Sequence, residues 1–304
     1  MASFSDTLKN IFWVFLILQF ASPVIKNIHK QWTDHTEPKN KVGIIVVNQM
    51  ISSSTRINKQ LRQFFKDSEI KAILLKVDSP GGAAGSSQAI CQEIIALKKQ
   101  YPKPIVTYSE NLCASGAYGI ASHTDYIVAT GNALVGSVGS KLCTQFKLKK
   151  LLEDYKVQTV DVASGSYKNS TDPFVDITDQ QREMLQKLTD DCYDQFVQEV
   201  ATSRHIDIAK KDFWANGRLF TGREALGLKL IDELGNQTVA LRHIKKLILH
   251  SDREIELVKI AQPSPWQRFM HSNDEDSDDE LECFASSMVW GSLFGYLQKR
   301  SVIS

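Results

Sequence analysis

Between residues 42 and 130 short apolar runs alternate with longer stretches in which apolar residues recur every three or four positions. "VGIIVVNQMI" (42–51), "IKAILLKVDS" (70–79), "PIVTYSE" (104–110) and "DYIVAT" (125–130) have the length of strands. The first two are apolar almost throughout, as strands covered on both faces are. "STRINKQLRQFFKDS" (54–68) sets Ile57, Leu61, Phe64 and Phe65 at helical spacing, and "SSQAICQEIIALKKQ" (86–100) reads as a second helix. A third helix begins within "NLCASGAYGIA" (111–121). Strand and helix in alternation, with glycines where strands end, predict an α/β fold with a largely parallel sheet. "VQTVDVA" (157–163) reads as a further strand, leading into the polar loop "ASGSYKNSTDPF" (163–174). From 178 to 204 the pattern is helical, and Met184, Leu185, Leu188, Cys192, Phe196 and Val197 form a stripe suited to a structural or subunit-facing role.

The two ends differ from this middle. After a tail (1–10) comes a hydrophobic segment (11–29) whose core, "IFWVFLILQFASPVI", is shorter than the roughly 20 residues that span a bilayer. It lacks a good small-residue cleavage site, so an uncleaved membrane anchor or monotopic segment is expected, with a cleaved signal as the alternative. Lys26, Lys30, Lys39 and Lys41 follow it, and by the positive-inside rule they would leave the body in the cytosol. Residues 30–41 are a polar linker, 42–262 the main domain, 263–283 an acidic flexible linker and 284–304 an apolar C-terminal segment. That last segment suits docking on the body, on a neighbour or on the membrane surface.

Charge changes the picture little. Lys and Arg number 36 against 35 Asp and Glu, which gives no pull toward nucleic acid. Five dispersed cysteines without CxxC, and no histidine cluster at ligand spacing, point to neither a disulfide framework nor a zinc site, and no metal or cofactor is expected. Cys113 reads as a small buried apolar residue rather than a thiol nucleophile.

Three glycine-bearing segments follow strands, where α/β folds place ligands: "DSPGGAAGSS" (78–87), Ser115-Gly116, and "VGSVG" (135–139). Neither GxGxxG nor GxxxxGK[ST] is present, which disfavours a phosphate loop. Ser115 is a helix cap or a nucleophile. A nucleophilic serine needs a base, and none of the seven histidines sits in a segment resembling a catalytic loop. Lys168 lies in the small polar loop and is the more interesting partner. A lysine acts as a base only when neutral, and desolvation can lower its ordinary pKa, near 10.4, by up to about 3–5 units.

"DSPGG", "ASGAY", "GSVG", "SGSYKNSTDPF" and "GRLFTGREALGLKLIDELG" occur in the order and approximate spacing of the signal peptide peptidase A type of serine peptidases. The resemblance runs from about Val42 to Leu249, and residues 217–235 are its most distinctive part. It implies the Clp-protease/crotonase fold of repeated β-β-α units. It also implies a Ser–Lys dyad of Ser115 and Lys168, with Ser137 holding the lysine amine and the backbone N–H groups of Gly82 and Gly116 forming the oxyanion hole. In that family the serine and lysine of one site come from different domain copies. With one copy here, a homo-oligomer sharing sites between neighbouring subunits is implied. The substrates implied are short apolar peptides such as released signal peptides, cleaved at the cell membrane with lipid as a partner and the catalytic domain outside the cytoplasm. The lysines flanking the anchor disagree with that sidedness. Val135 and Ser140, flanking "GSVG", also depart from the family pattern. Two other readings stay open: a catalytically silent, ring-forming membrane scaffold, and a crotonase-fold acyl-thioester enzyme, which would need a coenzyme A site.

Overall fold

Three long strands, β1 (Asn40–Val47), β2 (Ile70–Ser79) and β3 (Ile105–Ala114), pair in parallel, with Ile44 opposite Leu74 and Leu75 opposite Thr107. The computed structural model describes residues 39–142, 146–248 and 253–260. The expected anchor (11–29), the acidic linker (263–283) and the apolar C-terminal segment (284–304) lie outside them. Among the described residues no helix is long and apolar enough to cross a membrane. Two compact units divide the described chain: a large one holding residues 41–248 and 257–260, and a small one holding residues 39–40 and 253–256. In the small unit Asn40 N–H donates to the Glu254 carbonyl at 2.9 Å.

The fold of the large unit follows the apolar pattern. In α1 (Thr55–Lys66), Ile57, Leu61, Phe64 and Phe65 are buried, as their spacing predicts. α2 (Ala84–Gln100) buries Ile90, Cys91, Ile94 and Leu97. β3 is longer than expected: it continues through Asn111–Ala114 and serves two partners. Its first half pairs with β4 (Tyr126–Ala129), and its last three residues pair with β5 (Leu134–Gly136). Between β3 and β4 the chain forms α3 (Gly116–Ser122), almost wholly buried. A path through the sheet therefore runs β6-β5-β3-β2-β1, with β6 (Leu219–Thr221) antiparallel to β5.

The segment after β5 departs from expectation. "VQTVDVA" (157–163) forms no strand; it follows the short helix α4 (Lys149–Asp154) as exposed chain, with Val160 90% and Val162 92% exposed. An extended segment becomes a strand only when a neighbour takes its backbone hydrogen bonds, and no such neighbour exists among the described residues. α5 (Asp179–Arg204) starts at a capping box between Thr178 and Gln181 and ends where His205 turns left-handed. Only its C-terminal part is buried, at Val197, Val200 and Ala201. Of the expected stripe, Leu188 and Cys192 face solvent.

Residues 217–235 serve packing. After α6 (Lys211–Trp214), which buries Trp214, β6 inserts Phe220 opposite Val135, and Arg218 lies 4.5 Å over the Phe220 ring. A Thr221–Glu224 capping box opens α7 (Gly222–Gly227), and β7 (Glu233–Leu234) pairs with β4. Asp232 accepts from Ile127 N–H at 2.7 Å and from Arg204 at 2.7 and 3.1 Å, tying α5 to the sheet. α8 (Gln237–Leu247) closes this face, burying Ala240 and Ile244. Phe220 is fully buried, so Phe220→Ala is expected to cost about 3–5 kcal/mol, read from the urea unfolding midpoint. A shift below about 1 kcal/mol would show that this site collapses without leaving a cavity.

Candidate active site

A single residue, Ser115, turns the chain from β3 into α3. Its backbone sits at φ 52°, ψ −130°, a conformation that residues with side chains avoid. Two hydrogen bonds hold it there: Ser115 N–H donates to the Gly136 carbonyl at 2.8 Å, and the Ser115 carbonyl accepts from Gly119 N–H at 3.0 Å. By position Ser115 is the N-cap of α3, but its side chain makes no capping bond. The choice between cap and reactive group is thereby narrowed. The hydroxyl is half-buried and unspent.

The "PGG" turn is fixed beside it. Ser79 Oγ donates to the Gln49 carbonyl and accepts from Gly81 N–H, while Ile51 bonds to both Gly81 O and Ala83 N. These last two bonds make a parallel bridge between Ile51 and Gly82, and in such a bridge the N–H of the flanked residue, here Gly82, points away from its partner. Space is tight throughout. A Cβ on Gly81, where φ is +93°, would lie 2.8 Å from Ser115 Cβ and 2.7 Å from Gly116 N. One on Gly82 would fall 2.1 Å from the Ile51 carbonyl, and one on Gly116 would fall 2.2 Å from Ser87 Oγ. The same Gly116 position is 3.7 Å from Gly82 N, so the two candidate oxyanion donors flank one small space. Ser87 carries no signal of its own in the sequence. Ser87 Oγ is buried without a partner, and a serine in the first turn of a helix carries no sign of that.

The β3–β5 register brings the third glycine segment alongside. Ala114 pairs with Gly136, so Ser137 stands next to Ser115. Ser137 also has a positive φ, 51°, and its Oγ donates to the Gly217 carbonyl at 3.2 Å. With its proton committed there, this oxygen can accept from an amine. Lys168 is placed differently. It is exposed in a turn where its N–H bonds to Gly165 O, and it makes no hydrogen bond to Ser115 or Ser137 within the chain. Five of the candidates are thus accounted for: Ser115, Ser137, Gly82 and Gly116 converge, and Lys168 does not join them in one copy.

Alternative nucleophiles and bases fare poorly. Cys113 is fully buried, its Sγ 3.8 Å from the Ala117 carbonyl, and burial pushes its thiol up to about 12. His123 stands at the far end of α3, His205 caps α5, and His243 stacks on Tyr126 at 3.5 Å, where burial lowers its affinity for a proton. In the native protein iodoacetamide at pH 8 is expected to alkylate exposed Cys192 and leave Cys113 untouched, as read by peptide mass mapping. Equal labelling of Cys113 would reveal opening of the β3–α3 turn.

The model of peptidase family S49 matches residues 97–249, half of the chain. Two relatives carry the name "Putative protease". MJ0651 of Methanocaldococcus jannaschii is 35% identical over 62% of this chain and 60% of its own length. The other, slr0021 of Synechocystis sp., is 32% identical over 80% of this chain and 87% of its own. "Protease 4" of Haemophilus influenzae is 28% identical over 71% of this chain, which spans only 36% of that protein.

Proposed function

Since the chain belongs to peptidase family S49, we propose that it is a serine endopeptidase in which Ser115 is the nucleophile and Lys168 of a neighbouring copy is the general base. The observation that carries this reading is the uncapped Ser115 hydroxyl, raised on a strained turn beside two glycine N–H groups. Strained backbone of this kind persists only where its surroundings over-determine it, and it gathers at functional sites.

In this mechanism neutral Lys168 removes the Ser115 proton as Oγ attacks the peptide carbonyl, then returns it to the leaving amine. The N–H groups of Gly82 and Gly116 stabilise the negative oxygen of the tetrahedral intermediate. Ser137 accepts a hydrogen bond from the lysine nitrogen and aims its lone pair at Ser115. The position of Lys168 favours a shared site. Its loop follows a segment with two bare valines and no strand partner among the described residues, a surface that a second copy would cover. A head-to-tail arrangement repeated around a ring supplies every serine with a lysine.

The substrates proposed are short, apolar, extended peptides such as released signal peptides, bound by strand addition. The protein would meet them at the cell membrane, anchored through residues 11–29, with the domain on the extracytoplasmic side. The Clp-protease/crotonase architecture is part of the same proposal, supported by the parallel sheet and its strand-end site. Detergent-solubilised protein is expected to hydrolyse an apolar fluorogenic peptide. Turnover of an acyl thioester without peptide hydrolysis would replace this reading with the thioester one, and inertness toward both would favour a silent scaffold.

A further inference from the structure

A groove of about 1190 Å³ lies away from Ser115, at the other end of α3. Along its walls the charged groups are mostly matched: Lys98 pairs with Asp125 at 2.6 Å and Arg204 with Asp232 at 2.7 Å. Of the groove's three carboxylates, Glu199 on α5 is the one without an ion pair. Among the described residues no cation pairs with it, and its carboxylate accepts only from Gln88 Nε2, at 2.8 Å. Beside it are the thiol of Cys91 on α2 and the imidazole of His123 at the end of α3. One ligand-type atom from each of the three lies within 4.8 Å of the others.

We propose that Cys91, His123 and Glu199 form a binding site for a divalent transition metal of the zinc class, open to the groove at its fourth position. The donor set is one thiolate sulfur, one imidazole nitrogen and one carboxylate oxygen, which suits zinc or cobalt and not magnesium or calcium. In a tetrahedral zinc site the ligand atoms stand about 3.5 Å apart, so side-chain rotations on the order of 1 Å close this triad. The outer contacts are already in place. His123 Nδ1 lies 2.8 Å from the Gly119 carbonyl, which can only accept, so Nδ1 carries the proton and Nε2 keeps the lone pair. Gln88 orients the carboxylate in the same way, and metal sites generally depend on such supports.

Binding forms a metal–sulfur bond and breaks the Cys91 S–H bond, releasing the proton to solvent. Without a metal, burial first and the Glu199 charge second push the Cys91 thiol up, keeping it neutral beside an uncompensated carboxylate. A dication reverses both conditions at once. The ion would join α2, α3 and α5, and so would clamp the helix whose other end carries Ser115.

The test is cobalt(II) titration of the purified full-length protein, followed by absorption. A thiolate-to-cobalt charge-transfer band saturating at one equivalent is expected, with zinc displacing it. Cys91→Ser should remove the band. His123→Asn and Glu199→Gln should each weaken binding at least about tenfold. Glu199→Gln keeps an acceptor for Gln88, so it remains informative if Cys91→Ser folds poorly. Absence of the band, its survival in Cys91→Ser, or unchanged affinity in Glu199→Gln would overturn the site. Ser115→Ala should bind cobalt like the wild type, which separates this outcome from the peptidase reading.

Discussion

Ser115→Ala and Lys168→Ala are each expected to lower peptide hydrolysis by on the order of 10⁴-fold or more while leaving the fold and oligomer intact. Neither substitution disturbs packing. The Ser115 hydroxyl caps nothing, and the Lys168 side chain is exposed. The informative sample is a refolded one-to-one mixture of the two variants. If serine and lysine come from adjacent subunits, about a quarter of the sites in a randomly assembled ring regain both groups, and activity returns to about that fraction. Recovery near zero would place both residues of a site in one copy, and full activity in either single variant would remove that residue from the mechanism.

Gly82→Ala and Gly116→Ala are each expected to cost about 10²–10³ in kcat, the usual loss when an oxyanion donor is misplaced. The two should differ in how they can be repaired. On Gly116 the new methyl meets the Ser87 side chain, Oγ at 2.2 Å and Cβ at 2.8 Å, with the next atom at 3.7 Å. Adding Ser87→Gly clears that space and should restore much of the activity of Gly116→Ala. On Gly82 the obstruction is the Ile51 backbone, and no side-chain deletion relieves it. Equal rescue of both variants, or of neither, by Ser87→Gly would show that the tight contacts do not set the donor positions.

Local pattern carried much of this protein. The apolar runs at 42–51 and 70–79 and the Ile57–Leu61–Phe64–Phe65 face became β1, β2 and α1, because burial on both faces of a sheet or on one face of a helix leaves a periodic trace. The glycine segments were visible for a related reason. Approaches as close as that of the Ile51 backbone to Gly82 and of the Ser87 side chain to Gly116 leave no room for a Cβ, so the residue type itself records them.

What the chain order could not disclose depended on neighbours. "VQTVDVA" has the composition of a strand yet has no strand partner among the described residues, since strand formation is a property of two segments and not of one. The apolar stripe on α5 is continuous in the sequence, but only its C-terminal end is buried against the body. Cysteine and histidine spacing gave no hint of a metal site, whereas folding gathers Cys91, His123 and Glu199 from three helices. By itself the sequence determined the α/β pattern, the family and the candidate serine, Ser115, all written in local spacing and residue type. Only the tertiary structure decided that Ser115 leaves its hydroxyl uncapped, that Ser137 stands beside it while Lys168 faces outward, and that a carboxylate, an imidazole and a thiol lie close to one another. Those relations are set by strand register and helix packing between residues far apart in the chain.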